Sequence, residues 1–359
     1  MNNLTISLNN IIVFIAPVAF FLVAVYFPFY NFDSMLYIAS AYDFLGNDIS
    51  KSQELLVYEV KNFFPPGISS ILFDGVYSGV ILKDIDALNE QLNLYNFRVG
   101  YIYLSIILHS LFDIPIIYAL HTIQAVSSFV VVFLALLISK SVNNKSPFFT
   151  LIFLLCIDIV SLVRLETPDM LCSALVLIAF YLYKLDKKNI SSLIICLLPI
   201  FRTDLIILCF IYFIFNYKNI VNWLFFLFSS FLYIFLNYYF ETYGHQKTLE
   251  FTFFALSSEK PFPSKISLDL NFIDYLLLYL EGSYLFIRSF GFIVIGSLLI
   301  LFSNKFTHLY FKPALISILF IVIHFLLFPS DNPRFYLWPF IGIFISLIAM
   351  FFNQKAKDI

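Results

Sequence analysis

The stretch IIVFIAPVAFFLVAVYFPF, residues 11–29, contains no charged side chain and is rich in phenylalanine and branched aliphatic residues. An α-helix needs about 20 apolar residues to cross the hydrocarbon core of a bilayer, so this stretch is long enough to span a membrane. Nine further apolar runs follow it, at residues 114–139, 147–163, 168–184, 190–201, 203–217, 221–240, 286–303, 313–328 and 337–352. We therefore predict an all-α fold, a polytopic transmembrane bundle of about ten helices.

The composition of the whole chain agrees with this fold class. Of the 359 residues, 61% are hydrophobic and 12% are charged, and the interior of a soluble globule of that size is too small for so much apolar surface. A transmembrane β-barrel would need short alternating segments, which the sequence lacks. The net charge of −2 gives no indication of a nucleic-acid partner. The sequence has no CxxC, HExxH or Walker motif, so it shows no common metal, redox or nucleotide signal.

Two long polar segments interrupt the apolar runs. The first covers residues 30–113 and the second covers residues 241–273. We predict a single integral membrane domain over residues 1–359, in which residues 30–113 form a first outer loop with amphipathic juxtamembrane helices. Residues 241–273 are predicted to form a second outer loop.

The distribution of lysines predicts the orientation in the membrane. With a cytoplasmic N-terminus, the short loops that carry lysine all fall on the inner side, as the positive-inside rule requires. Of the 23 acidic residues, only Asp186 and Asp358 share that side. We therefore predict a multi-pass protein of the inner cell membrane with both termini in the cytoplasm. The inner lysines are Lys140, Lys145, Lys184, Lys187, Lys188, Lys218, Lys305, Lys312, Lys355 and Lys357.

The arginines fall on the opposite, outer side of this topology. The planar guanidinium group of arginine binds phosphate or carboxylate through two parallel hydrogen bonds, whereas the lysine ammonium is a point charge. In the alternative interpretation, each arginine pairs with a local acid or extends to the lipid headgroups. Their concentration on one side favours an outward-facing polar site. The arginines are Arg98, Arg164, Arg202, Arg288 and Arg334.

Short segments on the predicted outer side combine these arginines with acids or tyrosines. Charged groups at the edge of a membrane are costly without a partner or a water-filled cavity, so we expect the segments to line one polar cavity. The candidate site residues are Asp33 and Tyr37 in NFDSMLY, Arg98 in NFRVGY, Glu166 and Asp169 in RLETPDML, Arg202 and Asp204 in PIFRTDLI, and Arg334 and Tyr336 in SDNPRFYLWP.

Two acids also have simpler structural interpretations. Asp33 could cap the helix that follows it, because a carboxylate accepts hydrogen bonds from the free amides at a helix start. Asp158 lies in the middle of the run 147–163, where an unpaired acid is costly. It could face a cavity, pack as a protonated donor or relay a proton, and we expect a packing or supporting role.

The stretch FDSMLYIASAYDFL, which opens the predicted first outer loop, resembles the same region of the C-type (GT-C) glycosyltransferases. That family has an acid at this place, followed by a helix with a D…Y..A pattern, matched here by Asp33, Tyr37 and Ala39. NPRFYLWP is similar to the family's R-[YF]-x-x-x-P start of a late helix. The resemblance implies an enzyme that transfers a sugar from a polyprenyl-phosphate donor to a glycan or glycolipid acceptor on the outer face.

The resemblance and the chemistry together imply roles for the candidate residues. Asp33 would be the general base. Many family members have a second adjacent acid, but Ser34 and Met35 follow here, so Asp169 or Glu166 would supply it. We expect partial burial to raise the pKa of Asp33 toward neutrality. The expected substrate- and phosphate-binding residues are Arg202 and Arg334 first, then Arg98, with Tyr37, Asp204 and Tyr336.

Other aspects of the site and of the function are also expectations at this stage. Arg164 is expected to pair with Glu166 or Asp169. No metal cofactor is predicted, since a hard cation needs clustered carboxylates, although a divalent metal stays possible. The nearest alternative function is a polysaccharide polymerase or ligase of the O-antigen type, which uses lipid diphosphate-linked glycans. A transporter or flippase would show polar residues through the membrane midplane and internal repeats, which we do not find.

Overall fold

The computed structural model describes residues 8–255, 261–265, 270–303 and 308–352. Within those ranges the protein consists of eighteen α-helices joined by short turns, and it has no β-strand. The predicted helical bundle is therefore confirmed.

The α-helices, in chain order, are α1 (Leu8–Tyr26), α2 (Phe32–Phe44), α3 (Ile49–Phe63), α4 (Pro66–Asp74), α5 (Ser78–Lys83), α6 (Ile85–Leu92), α7 (Val99–Phe112), α8 (Ile116–Val142), α9 (Ser146–Cys156), α10 (Ile159–Leu162), α11 (Pro168–Lys184), α12 (Lys188–Leu197), α13 (Ile206–Ile214), α14 (Ile220–Tyr239), α15 (Gly244–Glu250), α16 (Phe272–Phe302), α17 (His308–Leu327) and α18 (Leu337–Phe352). Short 3-10 turns cover Leu198–Ile200, Thr203–Leu205, Pro263–Lys265 and Pro333–Phe335, and Phe251–Ala255 is a π-helix.

Four helices of the described chain, α1, α8, α14 and α16, are long and apolar enough to cross a membrane. Several shorter helices are also apolar, among them α9, α17 and α18. Large apolar side chains stay exposed along α1, α14 and α16, and surface of that kind is stable in lipid but not in water. These helices indicate a membrane protein.

Helix α8 lies at the centre of the bundle. It packs against α1, α7, α9, α11 and α18. Its buried face contributes Val131, Ala135 and Leu136 to a core shared with α1, α11 and α18. A second core joins α11 to α12, α13 and α17, and it includes the fully buried ring of Phe320. Helix α11 therefore connects the two parts of the bundle.

Residues 30–113 fold into a helical lobe, whose hydrophobic core also includes Ile116, Ile117, Leu120 and Ile123 of α8. Helix α2 lies inside this lobe and packs against α3, α6, α7 and α8. Every side chain from Ser34 to Tyr42 is buried. An amphipathic helix would keep one polar face in solvent, so the amphipathic character predicted for this region does not hold for α2.

Glu59 of α3 attaches the lobe to the bundle. Its buried carboxylate accepts hydrogen bonds from the backbone amides of Ile116, at 2.8 Å, and Ile117, at 3.0 Å. It also accepts a hydrogen bond of 2.6 Å from the hydroxyl group of Tyr42. Those two amides are the first of α8 and have no partner inside the helix. A carboxylate from the lobe therefore caps the central helix.

Two helices differ from the apolar runs that predicted them. The run 147–163 does not form one helix, because α9 ends at Cys156 and Asp158 adopts the left-handed conformation, with φ of 56°. Aspartate tolerates this conformation better than most residues. The Asp158 side chain is exposed at the break, so the packing role expected for it is wrong. The run 286–303 forms only the second half of α16, which begins fourteen residues earlier, at Phe272.

Candidate active site

Asp33 is the second residue of α2, and it does not cap the helix. Asn31 is the cap: its side-chain oxygen accepts from the backbone amide of Ser34 at 2.9 Å. The hydroxyl of Ser34 in turn accepts from the amide of Asn31 at 3.3 Å, which completes a capping box. The interpretation of Asp33 as the N-cap is therefore wrong. Its carboxylate remains near the positive end of the helix dipole and is free for contacts with distant segments.

The carboxylate of Asp33 lies between an arginine and a tyrosine. Nη1 of Arg334 donates to Oδ2 of Asp33 at 2.9 Å, and the hydroxyl group of Tyr95 donates to Oδ1. The Asp33 side chain remains 22% exposed, so part of it is accessible from outside the protein. Arg334 lies in the turn Pro333–Phe335, near the C-terminal end of the chain. Its contact with Asp33 therefore joins two segments that are far apart in the sequence.

Arg98 lies beside this pair, at the start of α7. Its Nη1 atom donates to the hydroxyl oxygen of Tyr37 at 2.7 Å. Its guanidinium carbon lies 4.9 Å from the ring centre of Tyr95 and 5.2 Å from that of Phe97. In the described part of the chain, no carboxylate forms an ion pair with Arg98. Neutral aromatic groups hold this arginine.

Arg202 lies at the reversal between α12 and α13 and binds two carboxylates. Its Nε atom donates to Oδ1 of Asp204 at 3.0 Å, and Nη1 contacts Oδ1 of Asp169 in the first turn of α11. The side chains of Arg202 and Asp169 are 9% and 10% exposed. A buried arginine that pairs with two acids fixes the geometry of the turn.

Phe335 and His324 join the two groups of charges. The guanidinium carbons of Arg202 and Arg334 lie 5.2 Å and 4.9 Å from the ring centre of Phe335. His324 of α17 contacts Asp204 through Nε2 at 3.1 Å. Its Nδ1 atom lies 3.4 Å from the hydroxyl group of Tyr336. Eight of the nine candidate residues therefore belong to one network, which we call the Asp33 network: Asp33, Tyr37, Arg98, Asp169, Arg202, Asp204, Arg334 and Tyr336.

Glu166 lies outside the Asp33 network. It is fully buried, and its carboxylate touches the imidazole of His121 on α8 without the geometry of an ordinary hydrogen bond. Between the two acids proposed to complement Asp33, the geometry therefore favours Asp169. The pairing expected for Arg164 is wrong, because Glu166 contacts His121 and Asp169 binds Arg202.

The charges of the network change the expected protonation of its acids. Burial alone would raise the pKa of Asp33, but Arg334, the hydrogen bond from Tyr95 and Arg98 outweigh burial and lower it. The expected rise in the pKa of Asp33 is therefore wrong. The carboxylate of Asp33 is therefore ionised at neutral pH, which is the state that can accept a proton.

Tyr95, His324 and Phe335 are absent from the residues predicted from the sequence. Tyr95 lies in a polar loop without periodicity, and only its position three residues before Arg98 could have indicated it. His324 lies within an apolar run, where an ionisable side chain is itself a signal. Phe335 is one of 47 phenylalanines, so nothing in the sequence distinguishes it.

Among the residues that the structure describes, no group of three or more histidine, cysteine, aspartate or glutamate side chains could hold a metal ion. The three carboxylates of the network face guanidinium groups instead. No protein-family model, curated protein or solved structure matches this chain.

Proposed function

We propose that the protein is a glycosyltransferase of the inner cell membrane, which moves a sugar from a polyprenyl-phosphate donor to a glycan or glycolipid acceptor on the outer face. The single observation that supports this proposal is the Asp33 network, in which three carboxylates and three guanidinium groups from separate segments converge. Glycosyl transfer needs a base for the acceptor hydroxyl and cationic groups for the leaving phosphate. The network contains both.

The sequence ranked Arg202 and Arg334 above Arg98 as residues that bind the donor phosphate. The ion pairs in the structure favour the opposite order. Arg202 and Arg334 are already paired with carboxylates, whereas neutral groups hold Arg98. A donor phosphate would therefore meet Arg98 first, because this guanidinium gives up no ion pair. A phosphate bound there would also attract Arg334 away from Asp33. Loss of the Arg334 contact leaves Asp33 a stronger base when the donor is bound.

The proposed reaction is a direct displacement at the anomeric carbon. Asp33 takes the proton from the acceptor hydroxyl, and the acceptor oxygen forms the new bond to the anomeric carbon. The bond between that carbon and the phosphate oxygen breaks, and polyprenyl phosphate leaves with the electron pair. Arg98 and Arg334 stabilise the negative charge of the leaving phosphate. Asp169 and Asp204 keep Arg202 in place.

The lipid tail of the donor needs an apolar surface that begins at the network. Helix α14 packs on α12 and α13, next to Arg202, and α16 packs on α17 and α18, next to Arg334. Both helices keep large exposed apolar faces, including Phe231 on α14 and Ile287 on α16. The prenyl chain would lie along one of these two faces, with its phosphate at Arg98.

The proposal includes a topology. The bundle crosses the membrane about ten times, its two termini lie in the cytoplasm, and residues 30–113 and 241–273 lie outside. No metal or other cofactor takes part in the proposed reaction.

Substitution of the base tests the proposal directly. Asp33→Asn keeps the shape of the side chain and removes its ability to accept the proton, so we expect sugar transfer from the polyprenyl-phosphate donor to fall by about 10²–10⁴-fold. The measurement is surface glycan in cells, together with the amount of protein in the membrane. The matched control is Asp86→Asn on the exposed surface of α6. Full activity of the Asp33→Asn variant would contradict the assignment.

One observation also favours a second candidate, the O-antigen-type polymerase or ligase. Three guanidinium groups in one network suit a lipid diphosphate as well as a monophosphate. Lipid-linked products of a deletion strain separate the candidates. A glycan that lacks one sugar indicates the transferase, and single complete repeat units indicate the polymerase. Complete lipid-linked units on the inner side would indicate a transporter.

A further inference from the structure

A groove of about 420 Å³ opens at the end of α1, and no residue of the Asp33 network lines it. Its lining is mostly aromatic and apolar, and it contains one charged side chain. The residues that matter here are Tyr26, Phe27, Phe29, Pro65, Ile68 and Arg164.

Arg164 is held at the groove by the chain that follows α1. Its Nε atom donates to the backbone carbonyl of Phe27 at 2.6 Å, and its own carbonyl accepts from the amide of Phe29 at 2.8 Å. Across the described residues, no carboxylate forms an ion pair with Arg164. The groove therefore presents a fixed positive charge without an anionic partner from the protein.

The surroundings of the groove have the composition expected at a membrane interface. Tyr26 and Phe27, at the end of the apolar helix α1, are 71% and 64% exposed, and aromatic side chains concentrate at the level of lipid headgroups. Ile71 of α4 follows the groove residue Ile68 by three positions. Its apolar side chain is 67% exposed, and contact of that surface with water would be unfavourable. An arginine at the level of lipid headgroups can bind their phosphates.

We propose that this groove binds the phosphate of a membrane phospholipid. Arg164 binds the phosphate oxygens through the amino groups that the Phe27 carbonyl does not use. The first carbons of the acyl chains lie against Phe27, Phe29 and Ile68. This proposal does not depend on the proposed glycosyl transfer, since it requires only the groove and the membrane.

The test is the thermal stability of the full-length protein, purified in detergent and stripped of lipid. We expect short-chain phosphatidylglycerol to raise the unfolding temperature, and the half-saturating lipid concentration to increase about tenfold in Arg164→Gln. The matched control is Arg288→Gln, which removes an exposed arginine on α16 and should not change the lipid dependence. Ile68→Trp fills the groove while Arg164 remains, so it should weaken lipid binding even if Arg164→Gln does not fold.

Two reference compounds identify the ligand. Short-chain diacylglycerol, which has the tails but no phosphate, and inorganic phosphate, which has no tails, should each stabilise the protein less than phosphatidylglycerol does. Equal stabilisation by either compound overturns the proposal. So does an unchanged half-saturating concentration in Ile68→Trp or in a folded Arg164→Gln variant.

Discussion

At the scale of single residues, the contacts of Asn31 decide what Asp33 can do. The sequence shows an acid at the start of a helix, and such an acid is commonly a cap. Because Asn31 and Ser34 satisfy the helix start, the carboxylate of Asp33 is available to Arg334 and Tyr95. Tyr37 follows Asp33 by four residues, a spacing that places both side chains on one face of a helix. The contact with Arg334 could not be predicted, since it joins residues 301 positions apart.

The charge of Arg334 predicts a change in the pH dependence of activity. Arg334 is the strongest of the influences that lower the pKa of Asp33, so Arg334→Gln should raise that pKa. Asp33 must be ionised to act as a base, and activity is therefore lost as pH falls through its pKa. We expect the acid limb of the profile of kcat/KM against pH to move to higher pH in Arg334→Gln. At neutral pH, kcat/KM should fall on the order of 100-fold.

The comparison for this experiment is Arg98→Gln. Arg98 also lowers the pKa of Asp33, but less than Arg334 does. The acid limb of the Arg98→Gln profile should therefore move less than that of Arg334→Gln. If Arg334→Gln loses activity while its acid limb stays where it is in the wild-type protein, Asp33 is not the group that titrates.

At the scale of elements, the sequence predicted some helices well and others poorly. The runs 168–184 and 337–352 coincide with α11 and α18, because α11 has no charged side chain between Asp169 and Lys184 and α18 has none at all. The run 286–303 missed the first half of α16, since Asp274 and Glu281 make that half too polar to count as an apolar run. Hydropathy detects burial in lipid, but it does not detect a helix that continues out of the membrane.

The capping of α8 by Glu59 predicts a large effect of one substitution on stability. Glu59→Ala removes three hydrogen bonds and leaves two buried amides without partners, so we expect the free energy of unfolding to fall by about 2 kcal/mol. Thermal unfolding in detergent measures this loss. The control is Glu54→Ala on the same helix, since the Glu54 side chain is 66% exposed and pairs with exposed Lys51.

The pKa of Glu59 gives the same variant a pH dependence. Burial is the largest influence and raises this pKa above its ordinary value of 4.5, despite the opposing hydrogen bonds. A raised pKa stabilises the folded protein at low pH, and this contribution disappears as pH rises through the folded-state pKa. The difference in stability between the wild-type protein and Glu59→Ala should therefore be larger at pH 4.5 than at neutral pH. An equal difference in stability at the two pH values would contradict a raised pKa of Glu59.

At the scale of the whole molecule, the network assembles groups from both ends of the chain. The sequence predicted that the arginines and acids would concentrate on one side, because lysines and arginines separate in the predicted topology. The sequence also indicated Arg98, Arg202 and Arg334 as site residues, but which of them contacts Asp33 could not be predicted, since that depends on how the lobe of residues 30–113 packs against the bundle. Arg98 and Arg334 reach Asp33 and its neighbours, whereas Arg164 lines the groove at α1.

The proposed topology predicts which positions react with a membrane-impermeant maleimide in intact cells. Cys156 is exposed and the other three cysteines are buried, so Cys156→Ser is the background for the experiment. Asp86→Cys, in the lobe, should react in intact cells. Lys218→Cys, in the turn before α14, should react only after the membrane is permeabilised. The reverse pattern would invert the orientation and place the Asp33 network in the cytoplasm.

The position of the Phe335 ring between Arg202 and Arg334 has a consequence for how these two arginines would respond to a substrate. Its ring lies near both Arg202 and Arg334, and it also packs against His324. A substrate that moves Arg334 away from Asp33 changes the attraction that orients this ring. If a substrate moves Arg334 in this way, we expect the ring to shift against Arg202 and against the imidazole that contacts Asp204. Binding at Asp33 would then alter the surroundings of Asp204.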